Sequence, residues 1–418
     1  MSYYLGLDSS TQSLTAIVID GDARRVVWQS SLAFDEAFPH YGTEHGVLPR
    51  TASDVAVSSP LMWAEALEAM MARIAASGLD LTRLAAISGS AQQHGSVYLK
   101  ALAGAALASL DPGRPLVDQM AALLSRAVSP IWMDSSTADE CAEITARVGG
   151  ADALSAHTGS RAFERFTGPQ IRRFFKQQPS DYAATDRVHL VSSFLASLLT
   201  GRHAPIDPGD ASGMNLMDLA TSEWWQPAVD ATAPGLAAKL PQVQPASSVA
   251  GTLADYWQRR YRLPPARVVT WSGDNPCSLI GTGLVREGRV ALSLGTSDVI
   301  FGLMNEPRVD PTGTGHVFGA PTGAFMGLTV FKNGSLARER VRKTFGLTWA
   351  EFSRALEDTA PGNDRRIFLP WYEPEITPPV LSPGVHRYGL SEDDGPGHVR
   401  GVIEAQMMSI ARHSHWMG

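Results

Sequence analysis

The sequence predicts an α/β protein of two domains, and three observations carry that prediction. Short apolar, β-branched runs alternate with stretches of helical period, the pattern of strands laid beside helices. The chain has 418 residues, more than one hydrophobic core usually serves, so two or three domains of roughly 100–200 residues each are expected. An apolar strand, a turn of hydroxyl and small residues, and a second apolar strand occur twice, at 3–20 and 290–303, where two related halves would begin.

Residues 3–7 form a strand that ends at Asp8; the polar turn SSTQS follows, and 14–20 return as a second strand, completing a hairpin. Ser59 and Pro60 open an amphipathic helix over 61–76. A missing N–H does no harm at the first helical position, and Gly78 stands just past the end. A buried strand at 84–88 feeds the polar loop GSAQQHGS. The small residues of ALAGAALASL, 101–110, suit a packed helix and are too few to cross a bilayer. After IWMDSS, Thr137 and Glu140 have the spacing of a capping box at the head of another helix. Residues 267–271 are a strand broken by SGDNPCSLIG; 290–294, the turn GTSD and 299–303 make the second hairpin. The charged, glycine-containing VREGR at 285–289 marks the boundary between domains of residues 1–286 and 287–418.

With 44% apolar and 18% charged residues the chain has the composition of an ordinary globular protein. A net charge of -7 argues against nucleic acid and anionic membrane as partners, because both need a basic face, and leaves a small molecule as the expected one. Cys141 and Cys277 are too few for a disulfide framework or a cysteine-rich zinc site, which fits a reducing cytoplasm. The opening MSYYLGLDSS lacks the charged and apolar regions of a signal peptide, and no uninterrupted apolar run reaches the ~18 residues of a membrane span. A cytoplasmic location is expected.

A tight turn of Gly, Ser and Thr exposes consecutive N–H groups and hydroxyls that bind phosphate oxygens; SSTQS and GTSD both have that composition, and both also suit plain hairpin turns. Asp8, at a strand end beside the first turn, has two readings: it holds Mg²⁺ through water, or it bonds the backbone of its own turn. In SGDNPCSLIG, Pro276 favours the first helical position, which makes Asn275 the N-cap and leaves Asp274 one residue earlier, at the strand-to-helix switch. Ligands collect at the carboxyl ends of strands in α/β sheets, so Asp274 is placed for a general base. His94, in AQQHGS, also follows a strand, with Gln92 and Gln93 before it and Gly95 after; it is either a ligand contact or a satisfied polar residue. Arg161 and Arg165, four apart in SRAFERFTG, would share one helical face, ordinarily a solvated one. Lys332, in FKNGS, reads as part of an Asn-Gly turn. GxxxxGK[ST], a strand-linked GxGxxG, HRD and DFG are all missing, so ATP would have to be held by the paired hairpins.

Taken together the motifs resemble the large carbohydrate-kinase family of FGGY type, whose fold is actin-like, or ribonuclease-H-like. LGLDSSTQS is similar to its first phosphate hairpin, SGDNPCSLIG to its catalytic aspartate segment and ALSLGTSDVIFG to its second phosphate hairpin. AQQHGSVY, WMDSSTADEC, TGSRAFERFTG, LVSSFLASLLTG, SGMNL and FKNGSLARE resemble the D-xylulose-kinase branch and occur in the expected order.

The resemblance implies two actin-like domains around a cleft, with sugar on the first and nucleotide on the second. It also implies conversion of D-xylulose and ATP to the 5-phosphate and ADP, with Mg²⁺. Asp274 would take the proton from the primary hydroxyl, Asp8 would place Mg²⁺, and His94, Arg165, Asp274 and Asn275 would contact the ketose. Ser10, Thr11, Gln12, Gly295, Thr296 and Ser297 would hold the phosphates, with Lys332, Asn333 and Gly334 near the nucleotide. In-line positioning and charge stabilisation suffice for such a transfer, and domain closure would exclude water. The resemblance leaves room for a homodimer. Members of the family continue past the helix that matches GHVRGVIEAQMMSIARH into a glycine-rich adenine loop, whereas this chain stops at Gly418. The second domain is therefore expected to be incomplete at its C-terminus, and nucleotide affinity and turnover to be reduced. The rival readings are a kinase for ribulose or glycerol, a sugar-binding protein without catalysis, and an actin-like ATPase.

Overall fold

The computed structural model describes residues 2–418. The chain divides into two units: Met1–Gly281 with Phe318–Phe325, and Thr282–Val317 with Met326–Gly418.

The first unit is built on a seven-stranded sheet. Strands β1 (Tyr3–Ser9) and β2 (Ser13–Asp20) form the expected hairpin, and β3 (Arg25–Ala33) extends it antiparallel. Tyr3, Leu5, Leu7, Leu14, Ala16 and Val18 are buried, every second residue, as a strand with one core-facing side requires. Helix α1 (Pro60–Ala75) starts on its proline and buries Met62, Trp63, Leu67, Met70, Met71 and Ile74 in the same core. Strand β4 (Leu84–Ala91) lies parallel to β1. Strand β5 (Ser96–Lys100) leaves the sheet to pair with β6 (Thr185–Leu190), and between them come helices α2 (Ala103–Ala108), α3 (Ala138–Arg147) and α4 (Thr167–Gln177). Helix α5 (Val191–Thr200) is buried on every side. Its polar members survive this by bonding up their own helix: Ser197 Oγ donates to Ser193 O at 2.6 Å and Thr200 Oγ1 to Ala196 O at 2.9 Å. Strands β7 (Val249–Thr252), β8 (Arg267–Val269) and β9 (Ser272–Gly273) then lead into helix α6 (Asp274–Gly281). The strand order is β7-β8-β4-β1-β2-β3, and β9 pairs with β4 beyond β8.

The second unit opens with the other expected hairpin, β10 (Val290–Leu294) and β11 (Asp298–Met304), paired antiparallel. With β12 (His316–Gly319) and β13 (Phe325–Phe331) it makes a four-stranded sheet in the order β10-β11-β13-β12. Helices α7 (Ser335–Thr344) and α8 (Trp349–Asp358), the strand pair β14 (Ile367–Trp371) and β15 (Gly384–Tyr388), and the long helix α9 (Gly395–Ser414) complete it. Its core gathers Ala337, Val341, Phe352, Phe368, Val399 and Val402 from these elements. Among the described residues no helix is long and apolar enough to cross a membrane.

Several local expectations are corrected. The capping box at α3 does not form: the Thr137 hydroxyl donates to Glu164 O at 2.6 Å, and Glu140 accepts from Lys176 Nζ at 2.7 Å, so contacts to other segments outcompete the local ones. Arg161 and Arg165 share no helical face, because 161–166 are irregular backbone and α4 begins only at Thr167. The FKNG segment is not a hairpin turn; it joins strand β13 to helix α7. Strand β4 runs on to Ala91, through the first residues of the loop predicted after 88.

Candidate active site

Three parallel strands of the first unit bring its polar residues together. Asp8 on β1 stands in register with Ser90 on β4, and Ser90 with Ser272 on β9. Their carboxyl ends therefore deliver Ser10, Gln92 and Asp274 to one edge of the sheet, the side on which α/β folds collect ligands. Ser90 Oγ donates to Asp8 Oδ1 at 2.5 Å, fixing one carboxylate oxygen of a half-buried side chain.

Helix α6 begins at Asp274, two residues before the expected first helical position at Pro276, so Asn275 is not its N-cap. The Asn275 amide is drawn away by Gln93, whose Oε1 accepts from Nδ2 at 3.0 Å, while its backbone N–H bonds Asp274 Oδ1 at 2.8 Å. Asp274 thus sits in the first helical turn with one oxygen anchored. Desolvation pushes its carboxyl up to about 6; the Asn275 N–H opposes this and the Asp8 charge adds to it. A carboxylate tuned there is an effective base near neutral pH. Gly273 before it has no substitute: a Cβ would fall 2.4 Å from Gln93 Cγ and 3.0 Å from Asp210 Oδ1.

His94 is buried and takes a left-handed conformation, φ +71°, which a non-glycine residue adopts only where its surroundings hold it. Nδ1 lies 2.9 Å from Gly213 O; since a carbonyl only accepts, Nδ1 carries the proton and Nε2 is left as an acceptor. Burial, reinforced by the Arg165 charge, drives its pKa down to about 3, so the ring is neutral. It packs against Phe166 and Phe318, with centroids at 4.9 and 6.4 Å. Arg165 lies over Phe163 and Phe166 at 5.2 and 5.4 Å, and burial lowers its pKa. The unit thus has a neutral acceptor, a cation and a base, walled by aromatic rings.

The first turn is closed by its own side chains. Ser10 N donates to Ser13 O at 2.9 Å, and Ser10 Oγ lies 3.1 Å from Ser13 Oγ. Thr11 Oγ1 accepts from Trp132 Nε1 at 2.8 Å, and Thr11 and Gln12 stand at the tip between β1 and β2.

In the second unit, Gly295, Thr296 and Ser297 span the tip between β10 and β11. Asp298, buried just after them, accepts a two-pronged ion pair from Arg338 at 2.7 and 2.9 Å, and Arg338 also donates to Gln406 Oε1 at 2.8 Å. Gln406 Nε2 in turn donates to Asn333 O at 2.7 Å. The Asn333 side chain is held by Glu375 Oε2 and Glu373 O, at 2.9 and 3.0 Å, and Lys332 N donates to Glu375 Oε1 at 2.6 Å. Ser335 N bonds Gly295 O at 2.8 Å. Gly334 is therefore pressed against the turn, and the Asn333 side chain supports the loop from within.

Sequence reasoning missed the groups behind Asp274. Asp207 and Asp210 are fully buried. Asp207 accepts from Ser272 Oγ at 2.8 Å and Asp210 N at 2.9 Å, while Asp210 Oδ1 has no hydrogen-bond partner among the described residues. Burial pushes Asp207 up to about 6 and Asp210 well above the usual carboxylate range, the latter aided by the charges of Asp207 and Asp274. DPGDASG carried one usable signal: Asp followed by Pro is a helix start, and Asp207 does cap one.

Comparison with known proteins places this geometry in a family. Residues 91–281 match the FGGY family of carbohydrate kinases, N-terminal domain. Xylulose kinase of Rattus norvegicus is 42% identical over 423 residues, covering 99% of this chain and 78% of the relative. Xylulose kinase 2 of Arabidopsis thaliana is 42% identical over 438 residues, covering 100% of this chain and 78% of the relative. In fold, the crystal structure of xylulose kinase from Rhodospirillum rubrum superposes with a TM-score of 0.80 at 21% identity, covering 99% of this chain and 80% of that one. With an identity of 42% sustained over almost its whole length, and a model of two-unit α/β architecture to match, the chain belongs to the FGGY family of carbohydrate kinases, phosphotransferases that act on an alcohol acceptor.

Proposed function

We propose that the protein transfers the γ-phosphoryl group of ATP to the primary hydroxyl of D-xylulose, giving the 5-phosphate and ADP. The observation that carries this is Asp274: a carboxyl at the strand-to-helix switch, raised to about 6, beside Asn275 and in the same unit as a neutral histidine and an arginine. The 42% identity to xylulose kinases favours this ketose over other polyols.

In this reading the first unit binds sugar and the second nucleotide. His94 Nε2 accepts from a sugar hydroxyl, Arg165 donates to sugar oxygens, and Asn275 orients the reacting end. As the hydroxyl oxygen bonds to the γ-phosphorus its proton passes to Asp274, and the bond to the β,γ-bridging oxygen breaks, leaving ADP. The backbone at Ser10, Thr11 and Gln12 and at Gly295, Thr296 and Ser297 holds phosphate oxygens, with Lys332 and Gly334 near the nucleotide. Mg²⁺ enters with ATP, and when bound it draws charge from the phosphate oxygens. It needs only one or two carboxylates from a protein, and Asp8, whose Oδ1 alone is engaged by Ser90, has a donor to offer. A cytoplasmic setting belongs to the same reading, supported by two unpaired cysteines.

The test is ADP release by the purified chain with Mg·ATP and D-xylulose, D-ribulose, glycerol or no sugar. Release that depends on D-xylulose is the expected result. Release that is equal without sugar would point to an ATPase, and a preference for glycerol or ribulose would reassign the acceptor.

A further inference from the structure

A cavity of about 520 Å³ lies in the first unit among residues that take no part in the site above. It is lined by Arg187 within β6, Arg202 and His203 just past α5, the segment around Ala238–Gln242, and Val249 and Ala250 of β7. No aspartate or glutamate lines it. The adjoining charges are Lys239, whose Nζ donates to Thr185 O, and one carboxylate, Asp186, 3.9 Å from Arg187 Nε. Two guanidinium groups, Arg187 and Arg202, therefore line it with no acidic residue in the lining, in a chain whose net charge is -7.

The cations are held in place by neutral groups. Arg202 gives Nε and Nη2 to Ala250 O at 3.1 and 2.5 Å, and Arg187 gives Nη1 to Ala238 O. A carbonyl orients a guanidinium without cancelling its charge, and each guanidinium has five donors in a rigid fork. Behind them, His203 Nδ1 lies 2.9 Å from His189 Nε2, with the rings stacked at 5.2 Å. Burial lowers the pKa of both histidines, and the Arg187 charge adds to it.

We infer that this cavity is a second ligand site, for a small phosphate ester, separate from the sugar and nucleotide groups. Oriented arginines favour phosphate oxygens over a diffuse anion because their forks bond two oxygens at once. The volume lies within the range of small-molecule sites, roughly 300–1,000 Å³, and exceeds what one bare ion would fill.

Hydrogen–deuterium exchange of the full chain tests this with inorganic pyrophosphate and ribose 5-phosphate as probes, against sodium sulfate at matched ionic strength. The expected result is slowed exchange at 185–190, 201–206 and 238–250 with ribose 5-phosphate, and a weaker effect with pyrophosphate. By calorimetry, Arg202→Gln should weaken ribose 5-phosphate binding roughly tenfold and Arg187→Gln with Arg202→Gln about a hundredfold, as expected for lost charged hydrogen bonds. Should the double variant fail to fold, Arg202→Gln and the wild-type exchange map decide. Slowed exchange elsewhere only, equal slowing by sulfate, or binding that survives Arg202→Gln unchanged would overturn the assignment.

Discussion

The two hairpins follow one sequence recipe and differ in what holds them. In the first, β1 and β2 lie inside a seven-stranded sheet between β4 and β3, and the turn is closed by Ser10 and Ser13 themselves, with Trp132 donating to Thr11. In the second, β10 is an edge strand, and Val290, Leu292 and Leu294 are all exposed. Its turn is fixed from beneath by the Asp298, Arg338 and Gln406 network. The carboxylates differ accordingly. Asp298 is buried and matched by Arg338, whereas Asp8 is half-buried and has Ser90, a hydroxyl, as its partner. Only Asp8 therefore retains a charge for work on a ligand, and that charge already acts on Asp274. In the function proposed above, the base belongs to the first unit and both turns hold phosphate.

The largest effect should come from the base. Asp274→Asn is expected to lower kcat by roughly 10²- to 10⁴-fold, the usual range for a positioned base. Ketose affinity by calorimetry should stay within about tenfold, ~1.4 kcal/mol. A variant keeping most of its kcat would remove the chemical asymmetry between the units. Next, Arg338→Met leaves Asp298 buried and unpaired, and should destabilise the second unit by roughly 3–5 kcal/mol. Asp8→Asn, which can still accept from Ser90, should shift stability by no more than about 1 kcal/mol. Chemical denaturation measures both, and equal losses would mean that the turns are supported alike.

How much of this was legible in the sequence depends on whether a residue's partners are local. Both hairpins could be read because their apolar runs and turn composition lie within about ten residues of each other, and Asp274 because Pro276 marks a helix start. The capping box failed because Thr137 found Glu164 and Glu140 found Lys176, partners 27 and 36 residues away. The Asn275 cap failed similarly, to Gln93 across 182 residues. Asp207 and Asp210 gain their meaning only from burial against Ser272 and Ser192, which no local pattern encodes. Asn333, read as a nucleotide neighbour, has its side chain held by Glu373 and Glu375, partners 40 and 42 residues away that no local pattern encodes.

Two glycines sharpen the comparison at smaller scale. At Gly334 a Cβ would lie 2.7 Å from Thr296 O and 2.8 Å from both Asp298 N and Gly295 O, all backbone atoms that cannot swing aside. Gly334→Ala should displace the second turn and raise the KM for ATP roughly tenfold, ~1.4 kcal/mol, with the ketose KM unchanged. Gly46 has the matching role at the first turn: φ is +76°, and a Cβ would fall 1.9 Å from Thr11 O. If that turn too holds phosphate, Gly46→Ala should raise the same constant in steady-state kinetics. An ATP KM unmoved by Gly46→Ala would leave phosphate holding to the second turn alone.

The smallest expected effect is the most specific to Asp8. The acid limb of kcat/KM for the ketose should lie near pH 6, because Asp274 must be ionised to accept a proton and its carboxyl titrates at about 6. Part of that elevation comes from the negative charge on Asp8. Asp8→Asn removes the charge, makes ionised Asp274 easier to form, and so moves the limb to lower pH. The rate will also fall if Asp8 places Mg²⁺, but the position of the limb is read from the shape of the profile and not from its height. A limb that stays fixed would separate Asp8 from the base electrostatically.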